Sequence, residues 1–204
     1  MPASRMSTPE SLRILHAARS SEVIITTMST AREWNELTPH PLDFVYVPSS
    51  MGQASSLGLG MALAQPDRRI VVCNGDGCTL MNLGSLVSIT AAAPQNLVLL
   101  VFDNEVYEIT GAQGTAASRH RRSDGNSLDY AEMARACGFQ SVHVIESLQQ
   151  WQQQVQQLLN EPGPVFVWLK VAPVPGGAGP RSPGPGPERA RAFARALQGS
   201  NDPT

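Results

Sequence analysis

The chain has 204 residues and a formal net charge of −2, with 42% hydrophobic and 16% charged residues. These values are typical of one globular domain with a large core, and they argue against nucleic acid or an anionic membrane as the main partner. No apolar run approaches the roughly 18 residues of a membrane-spanning helix. The cysteines, Cys73, Cys78 and Cys137, lack metal-ligand spacing. Their odd number indicates reduced thiols in a cytoplasmic protein.

Segments of strand and helix character alternate along the chain. Short apolar runs predict strands at residues 23–27, 42–47, 70–74, 96–102, 141–145 and 164–171. Helices are predicted at residues 8–15, 29–37, 81–93, 129–137 and 147–160, with another after residue 52. The repeated strand–helix order predicts an α/β fold, a doubly wound parallel sheet with helices on both faces.

The helix after residue 52 is unusually rich in small side chains, at Ala54, Ser55, Ser56, Gly58, Gly60, Ala62 and Ala64. Small side chains permit another backbone to approach closely. Two interpretations stay open at this point. The helix either packs closely on the sheet of its own chain or forms a tight interface with another subunit.

Composition divides the chain into three parts. Residues 1–172 form the α/β domain, residues 173–187 form a strap rich in proline and glycine, and residues 188–204 form a C-terminal helix and tail.

Two polar anchors follow neighbouring predicted strands. Gly75-Asp76-Gly77 ends the strand at 70–74, and Asp103-Asn104 ends the strand at 96–102. Ligands bind at the carboxyl edge of open α/β sheets, and a carboxylate with an amide oxygen suits Mg²⁺ shared with phosphates. The backbone amides of Gly77 and Cys78 are expected to face a phosphate. The pair of anchors therefore predicts a metal-bridged diphosphate site, although Gly-Asp-Gly alone is also typical of a tight turn in which Asp76 caps a helix.

These anchors belong to two longer motifs, SSMGQASSLGLGMALAQPDRRIVVCNGDGCTLMNLGSL and DNEVYEITGAQGT. With them the chain resembles the diphosphate-binding domain of thiamine diphosphate enzymes. It is most similar to the β subunit of sulfopyruvate decarboxylases and next to the C-terminal domain of phosphonopyruvate decarboxylases. In these relatives a similar segment rich in arginine and proline precedes a final helix. The resemblance therefore implies a tail ordered against the body or a partner, and a disordered tail is the alternative. The resemblance implies that Asp76, Asn104 and the carbonyl of Val106 hold Mg²⁺. It also implies cofactor-binding roles for Ser50, Met51, Gly52, Gly75, Asp76, Gly77, Cys78, Asn104, Val106 and Tyr107.

Several of these positions carry more specific expectations. Met51 matches the bulky apolar residue that props thiamine into its bent form, and a core methionine is the alternative. Cys78 stands where the family commonly has serine or alanine. Gln53 and Tyr107 stand where phosphonopyruvate decarboxylases carry histidines, which favours a sulfonate substrate.

The resemblance also implies a missing half. The family places the glutamate that activates the cofactor on a separate pyrimidine-binding domain, and Glu10, Glu22, Glu33 and Glu36 lie in no recognisable motif. We therefore expect no such catalytic residue in this chain and a pyrimidine-domain, α-type partner subunit in a hetero-oligomer. The predicted activity is decarboxylation of a sulfopyruvate-like 2-keto acid. The alternatives are half of another thiamine-dependent decarboxylase or carboligase, and a non-catalytic cofactor-binding module.

A basic segment follows the second anchor, with Arg119, His120, Arg121 and Arg122. Guanidinium groups suit sulfonate or phosphonate. The segment is predicted to be either a solvated charged surface or a lid that contributes one arginine to an anionic substrate.

Overall fold

The computed structural model describes residues 5–47, 50–119, 128–176, 179 and 181–199. Its strands, in chain order, are β1 (Met6–Ser7), β2 (Val23–Thr26), β3 (Asp43–Val45), β4 (Ile70–Gly75), β5 (Leu97–Asp103), β6 (Val106–Tyr107), β7 (Gln113–Gly114), β8 (Ser141–Ile145) and β9 (Val165–Ala172). Seven of them form one sheet, in which five strands lie in the order β3-β2-β4-β5-β9. The other two, β8 and β1, both pair with the outer side of β9, β8 along residues 165–169 and β1 at residues 171–172. All pairings in this sheet are parallel, whereas β6 and β7 form a separate antiparallel hairpin.

Helices cover both faces of the sheet. They are α1 (Thr8–Ala18), α2 (Met28–Trp34), α3 (Ala54–Ala64), α4 (Asp76–Met81), α5 (Gly84–Ala92), α6 (Ala116–Arg119), α7 (Tyr130–Ala136), α8 (Leu148–Asn160) and α9 (Gly186–Gln198). One core cluster contains buried residues of α1, α2 and α8, and the other contains those of α3, α5, α7 and α9. The central strands β4 and β5 are almost entirely buried because helices cover both faces. This confirms the predicted doubly wound parallel sheet. No helix in the described ranges is both long and apolar enough to cross a membrane.

The predicted helix at 81–93 is wrong in its start and in its continuity. Helix α4 begins at Asp76 itself, and the chain leaves helical geometry at Asn82 (φ −145°, ψ 57°) before α5 starts. Asn82 stabilises this break because its side-chain amide donates to the carbonyl of Gly52 at 3.0 Å. The two glycines therefore flank a helix start rather than forming a loop. No sequence pattern predicts β1, because a strand of two residues is too short to show periodicity.

Internal packing explains one of the two glycines in α3 but not the other. A Cβ atom at Gly58 would lie 2.3 Å from Cγ2 of buried Val72, whereas a Cβ at Gly60 would meet no atom within 4 Å. Gly58 is therefore needed for close packing of α3 on the sheet. Gly60 is exposed on the opposite side of the helix, so internal packing does not explain it.

The described residues after β9 are ordered against the body. The amide of Val174 donates to Glu108 Oε1 at 2.6 Å, and Asn35 donates to the carbonyl of Arg181 at 3.1 Å. In α9, Arg189 donates to the carbonyl of Val45 at 2.8 Å. These contacts carry the chain from the end of β9 to the edge strand β3, where the carbonyl of Val45 accepts from both Arg189 and the amide of Val47.

Candidate functional site

The two polar anchors meet at the carboxyl edge of the sheet. Strands β4 and β5 are parallel neighbours with Gly75 opposite Phe102, so Asp76 and Asn104 follow adjacent strand ends. A small cavity of about 30 Å³ lies there. The predicted residues that line it are Met51, Gly75, Asp76, Gly77, Cys78, Asn104, Val106 and Tyr107. Ser50 and Gly52 lie beside it, and their cofactor roles stay predictions like those of the lining residues.

Asp76 has the environment of a cation ligand. Its side chain is 2% exposed, and Oδ2 has no hydrogen-bond partner among the described atoms. Burial, together with the facing carboxyl group of Asp103, raises the pKa of Asp76 to about 8. A buried carboxylate is costly without a partner, and a divalent cation would supply the missing charge. The donor set therefore fits Mg²⁺, a hard ion that prefers oxygen ligands.

The other expected ligands come from a short turn after β5. The amide of Glu105 donates to Asp103 Oδ1 at 3.1 Å, and the amide of Val106 donates to Asn104 Oδ1 at 3.0 Å. These two side-chain bonds hold Glu105 at a φ of +65°, which is unfavourable for a residue other than glycine. Trp168 donates to Asp103 Oδ2 at 3.0 Å and fixes the start of the turn. Within the described residues no group of three or more His, Cys, Asp or Glu side chains could hold a metal, so a cation here would need amide or carbonyl oxygens as well.

Gly77 and Cys78 form the first turn of α4, beside Asp76 at the cavity. A Cβ atom at residue 77 would lie 2.4 Å from Cε1 of Tyr107, so the ring can lie against the helix only because Gly77 has no side chain. Burial raises the pKa of the Cys78 thiol. Cys78 therefore stays neutral and adds no negative charge beside a phosphate. The amides of this helical turn contribute a positive potential at the same place.

Sequence reasoning missed part of the cavity wall. Met28 and Ser29 line the cavity from the end of β2, and Glu108, Ile109 and Thr110 line it from a 3-10 turn after β6. Because β2 pairs in parallel with β4, the carboxyl-edge rule applied to the first anchor also applies to residues 27–29 and would have found them. The role of Glu108 had no local signal, since it depends on its contact with Arg32 at 3.1 Å from another element.

The structure bears on Met51 and on the basic segment, for which the sequence leaves alternatives open. Met51 is half-buried and lines the cavity, so it is not a core methionine. The basic segment is mostly outside the described residues. Arg119 ends helix α6, and His120, Arg121 and Arg122 lie outside the described residues.

Comparison with known proteins gives a consistent family assignment. Residues 26–169 match the model of the thiamine pyrophosphate (TPP) enzyme C-terminal TPP-binding domain. Over 155 residues the chain is 39% identical to phosphonopyruvate decarboxylase of Streptomyces viridochromogenes, covering 76% of this chain and 36% of that protein. Over 165 residues it is 36% identical to sulfopyruvate decarboxylase subunit beta of Methanothermobacter thermautotrophicus, covering 80% of this chain and 81% of that subunit.

A solved structure supports the fold. An X-ray structure from Mycobacterium smegmatis, assigned as a thiamin diphosphate-dependent enzyme, superposes with a TM-score of 0.66 at 17% identity. The match covers 83% of this chain and 32% of that one. The chain thus spans about a third of the phosphonopyruvate decarboxylases that it matches, whereas it spans most of the β subunits of sulfopyruvate decarboxylase.

Proposed function

Because the chain belongs to the thiamine pyrophosphate enzymes, as their C-terminal TPP-binding domain, we propose that it is the diphosphate-binding subunit of a split thiamine diphosphate-dependent 2-keto acid decarboxylase. The observation that carries this proposal is the buried, unpartnered Oδ2 of Asp76 beside Asn104. It lies at the sheet edge where the family motif places its metal ligands.

In this proposal each part of the cavity has a defined task. Asp76, Asn104 and the carbonyl of Val106 would hold Mg²⁺, and the amides of Gly77 and Cys78 would bind the diphosphate. Met51 supplies apolar support for the cofactor. Thiamine diphosphate, when bound, supplies the carbanion chemistry of decarboxylation.

The proposal requires a partner that brings a glutamate. Among the described cavity residues the one glutamate is Glu108. Its Oε2 pairs with Arg32 at 3.1 Å, and its Oε1 accepts from Val174. Both oxygens are thus committed to holding the wall of the cavity. A pyrimidine-domain, α-type subunit in a hetero-oligomer would supply the activating group. The match to a separate β subunit, of which it covers 81%, supports this arrangement.

The proposed substrate is a sulfopyruvate-like 2-keto acid. Identity does not separate this from phosphonopyruvate, since the two classes of relatives are 36% and 39% identical to the chain. The reason for preferring the sulfonate is the presence of Gln53 and Tyr107 at positions that carry histidines in phosphonopyruvate decarboxylases. A panel of 2-keto acids assayed with the complete complex tests this choice. We place the complex in the cytoplasm, and the free thiols of the three cysteines support that location.

The first experiment measures thiamine diphosphate binding with and without Mg²⁺. We expect binding that needs Mg²⁺ and is lost in Asp76→Ala, because the variant removes a charged metal ligand. The exposed Asp67 offers a matched control, and Asp67→Ala should bind as the wild type does. Binding indifferent to Mg²⁺ would contradict the proposed site. Mg²⁺-dependent binding without CO₂ release from any 2-keto acid by the complex would favour a non-catalytic module.

A further inference from the structure

A guanidinium from the start of the described chain contacts the turn that carries Asn104. Arg5 precedes β1, which pairs with the end of β9 at Met6 and Val171. From there Nη1 of Arg5 donates to the carbonyl of Asp103 at 2.7 Å, and Nη2 lies 2.7 Å from Glu105 Oε1. Nη1 also lies 3.6 Å from Asp103 Oδ2. One side chain thus contacts the residues on both sides of Asn104.

The turn needs such support for two physical reasons. Glu105 has a φ of +65°, a left-handed conformation that is unfavourable for a residue other than glycine. In addition, the carboxylates of Asp103 and Glu105 flank Asn104 and repel each other unless a cation lies between them. Arg5 provides this charge, and its planar guanidinium bonds the backbone and a side chain at once.

We propose that Arg5 is a positioning residue for the metal site, holding the Asp103–Glu105 turn so that Asn104 and the Val106 carbonyl stay placed for the cation. This inference rests on the proposed function for its metal, but the contacts belong to the chain itself. Residues around metal ligands that fix their orientation typically change metal affinity by 10- to 100-fold when removed. The same range is expected for Arg5.

The chain offers a matched control at the opposite edge of the sheet. Arg69 precedes β4 and also braces backbone carbonyls, donating to Leu159 at 2.5 Å and to Gln95 at 2.9 Å. Arg69→Gln therefore removes a comparable brace far from the cavity. It is expected to lower stability without changing metal affinity.

The test compares full-length wild type with Arg5→Gln, Arg5→Lys and Arg69→Gln in Mg²⁺ titrations at saturating thiamine diphosphate. We expect Arg5→Gln to weaken Mg²⁺ affinity by at least about tenfold and Arg5→Lys to be intermediate, because lysine keeps the charge but not the two-sided contact. Arg69→Gln should stay within about twofold of wild type. Unchanged affinity in Arg5→Gln, or an equal loss in Arg69→Gln, would overturn the proposal.

A second measurement, made on metal-free protein, tests the role of Arg5 independently of the proposed function. Hydrogen exchange of the Glu105 and Val106 amides, which are bonded within the turn, should become at least about tenfold faster in Arg5→Gln but not in Arg69→Gln. If wild type binds no Mg²⁺, the proposed function fails while this exchange comparison still decides the role of Arg5. Exchange unchanged by Arg5→Gln overturns it.

Discussion

At the residue scale, the proposed metal ligand Asp76 carries a cost in stability. Its pKa is raised from 3.8 to about 8, mainly by burial and then by Asp103. Between those two pH values the folded chain holds a proton that the unfolded chain has lost. The free energy of unfolding of the metal-free protein therefore falls as pH rises from about 4 to about 8. A site poised for a cation is thus unfavourable without one.

We predict that Asp76→Asn stabilises the metal-free protein at high pH while removing Mg²⁺ binding. The gain should be of order 5 kcal/mol at pH 8, from about four pKa units at about 1.36 kcal/mol each, and should vanish well below pH 4, where the unfolded carboxyl is also protonated. Urea denaturation with a chelator at both pH values measures it. In the wild type, Mg²⁺ affinity should rise about tenfold per pH unit below pH 8 and level off above it, because the metal displaces the proton. A flat affinity between pH 6 and 8 would contradict the shifted pKa.

At the element scale, helix α3 offers two glycines with opposite environments. Gly58 faces Val72, whose β-branched side chain is fully buried, whereas nothing lies within 4 Å of a Cβ at Gly60. Gly58→Ala should destabilise the chain by roughly 1–3 kcal/mol, because a stiff, enclosed side chain cannot move aside. Gly60→Ala should stabilise it by about 0.5–1 kcal/mol, as expected for alanine in a helix interior.

The two variants are each other's control, since they make the same chemical change two positions apart in α3. Thermal and urea unfolding of the purified chain measures both. Equal effects of the same sign would mean that helix propensity, and not the contact with Val72, decides the cost. Destabilisation by Gly60→Ala in the isolated chain would show that its outer side is packed in solution.

The elements that sequence reasoning recovered are those whose information is local. Strands β4 and β5 are apolar runs that end at Gly75 and at Asp103-Asn104. The pattern alone therefore predicts where these strands end, and it predicts a candidate site at the carboxyl edge between them. The start of α4 did not, because Asp76 is at once a strand-end residue and the first residue of a helix. The Arg5–Asp103 contact spans 98 positions, and no local pattern encodes a pairing of that separation. The same holds for the contact of Glu108 with Arg32.

At the scale of the whole molecule, part of one helical layer lacks formal charge. Residues 50–66 and 77–102 contain no Asp, Glu, Lys or Arg, yet α3 and the α4–α5 pair lie on the outside of the sheet. They expose Leu63, Met81, Leu83 and Val87, and all of these except Leu83 are more than half exposed. Helices that are apolar on all sides are normally buried, and exposed apolar patches mark interaction surfaces.

The position of this uncharged surface relates it to the candidate site. Helix α4 begins in the cavity at Asp76 and ends at exposed Met81, and Asn82 bonds the carbonyl of Gly52 beside Met51. A subunit that covers the cavity to bring its glutamate would therefore extend onto the uncharged surface. We propose the pyrimidine-domain partner as its occupant. We choose this partner because the uncharged surface is continuous with the cavity. A surface used only for self-association would not need that continuity.

We predict that Val87→Lys weakens assembly with that partner by at least about tenfold, the factor given by 1.4 kcal/mol of lost binding energy. A lysine on this surface must be buried without a counter-ion when the partner binds. Gln152→Lys, at an exposed position of α8 on the other face, is the matched control and should assemble as wild type does. Co-purification and sedimentation of the mixed subunits measure both variants. A homodimer that Val87→Lys dissociates, with partner binding unchanged, would assign the surface to a second copy of this chain.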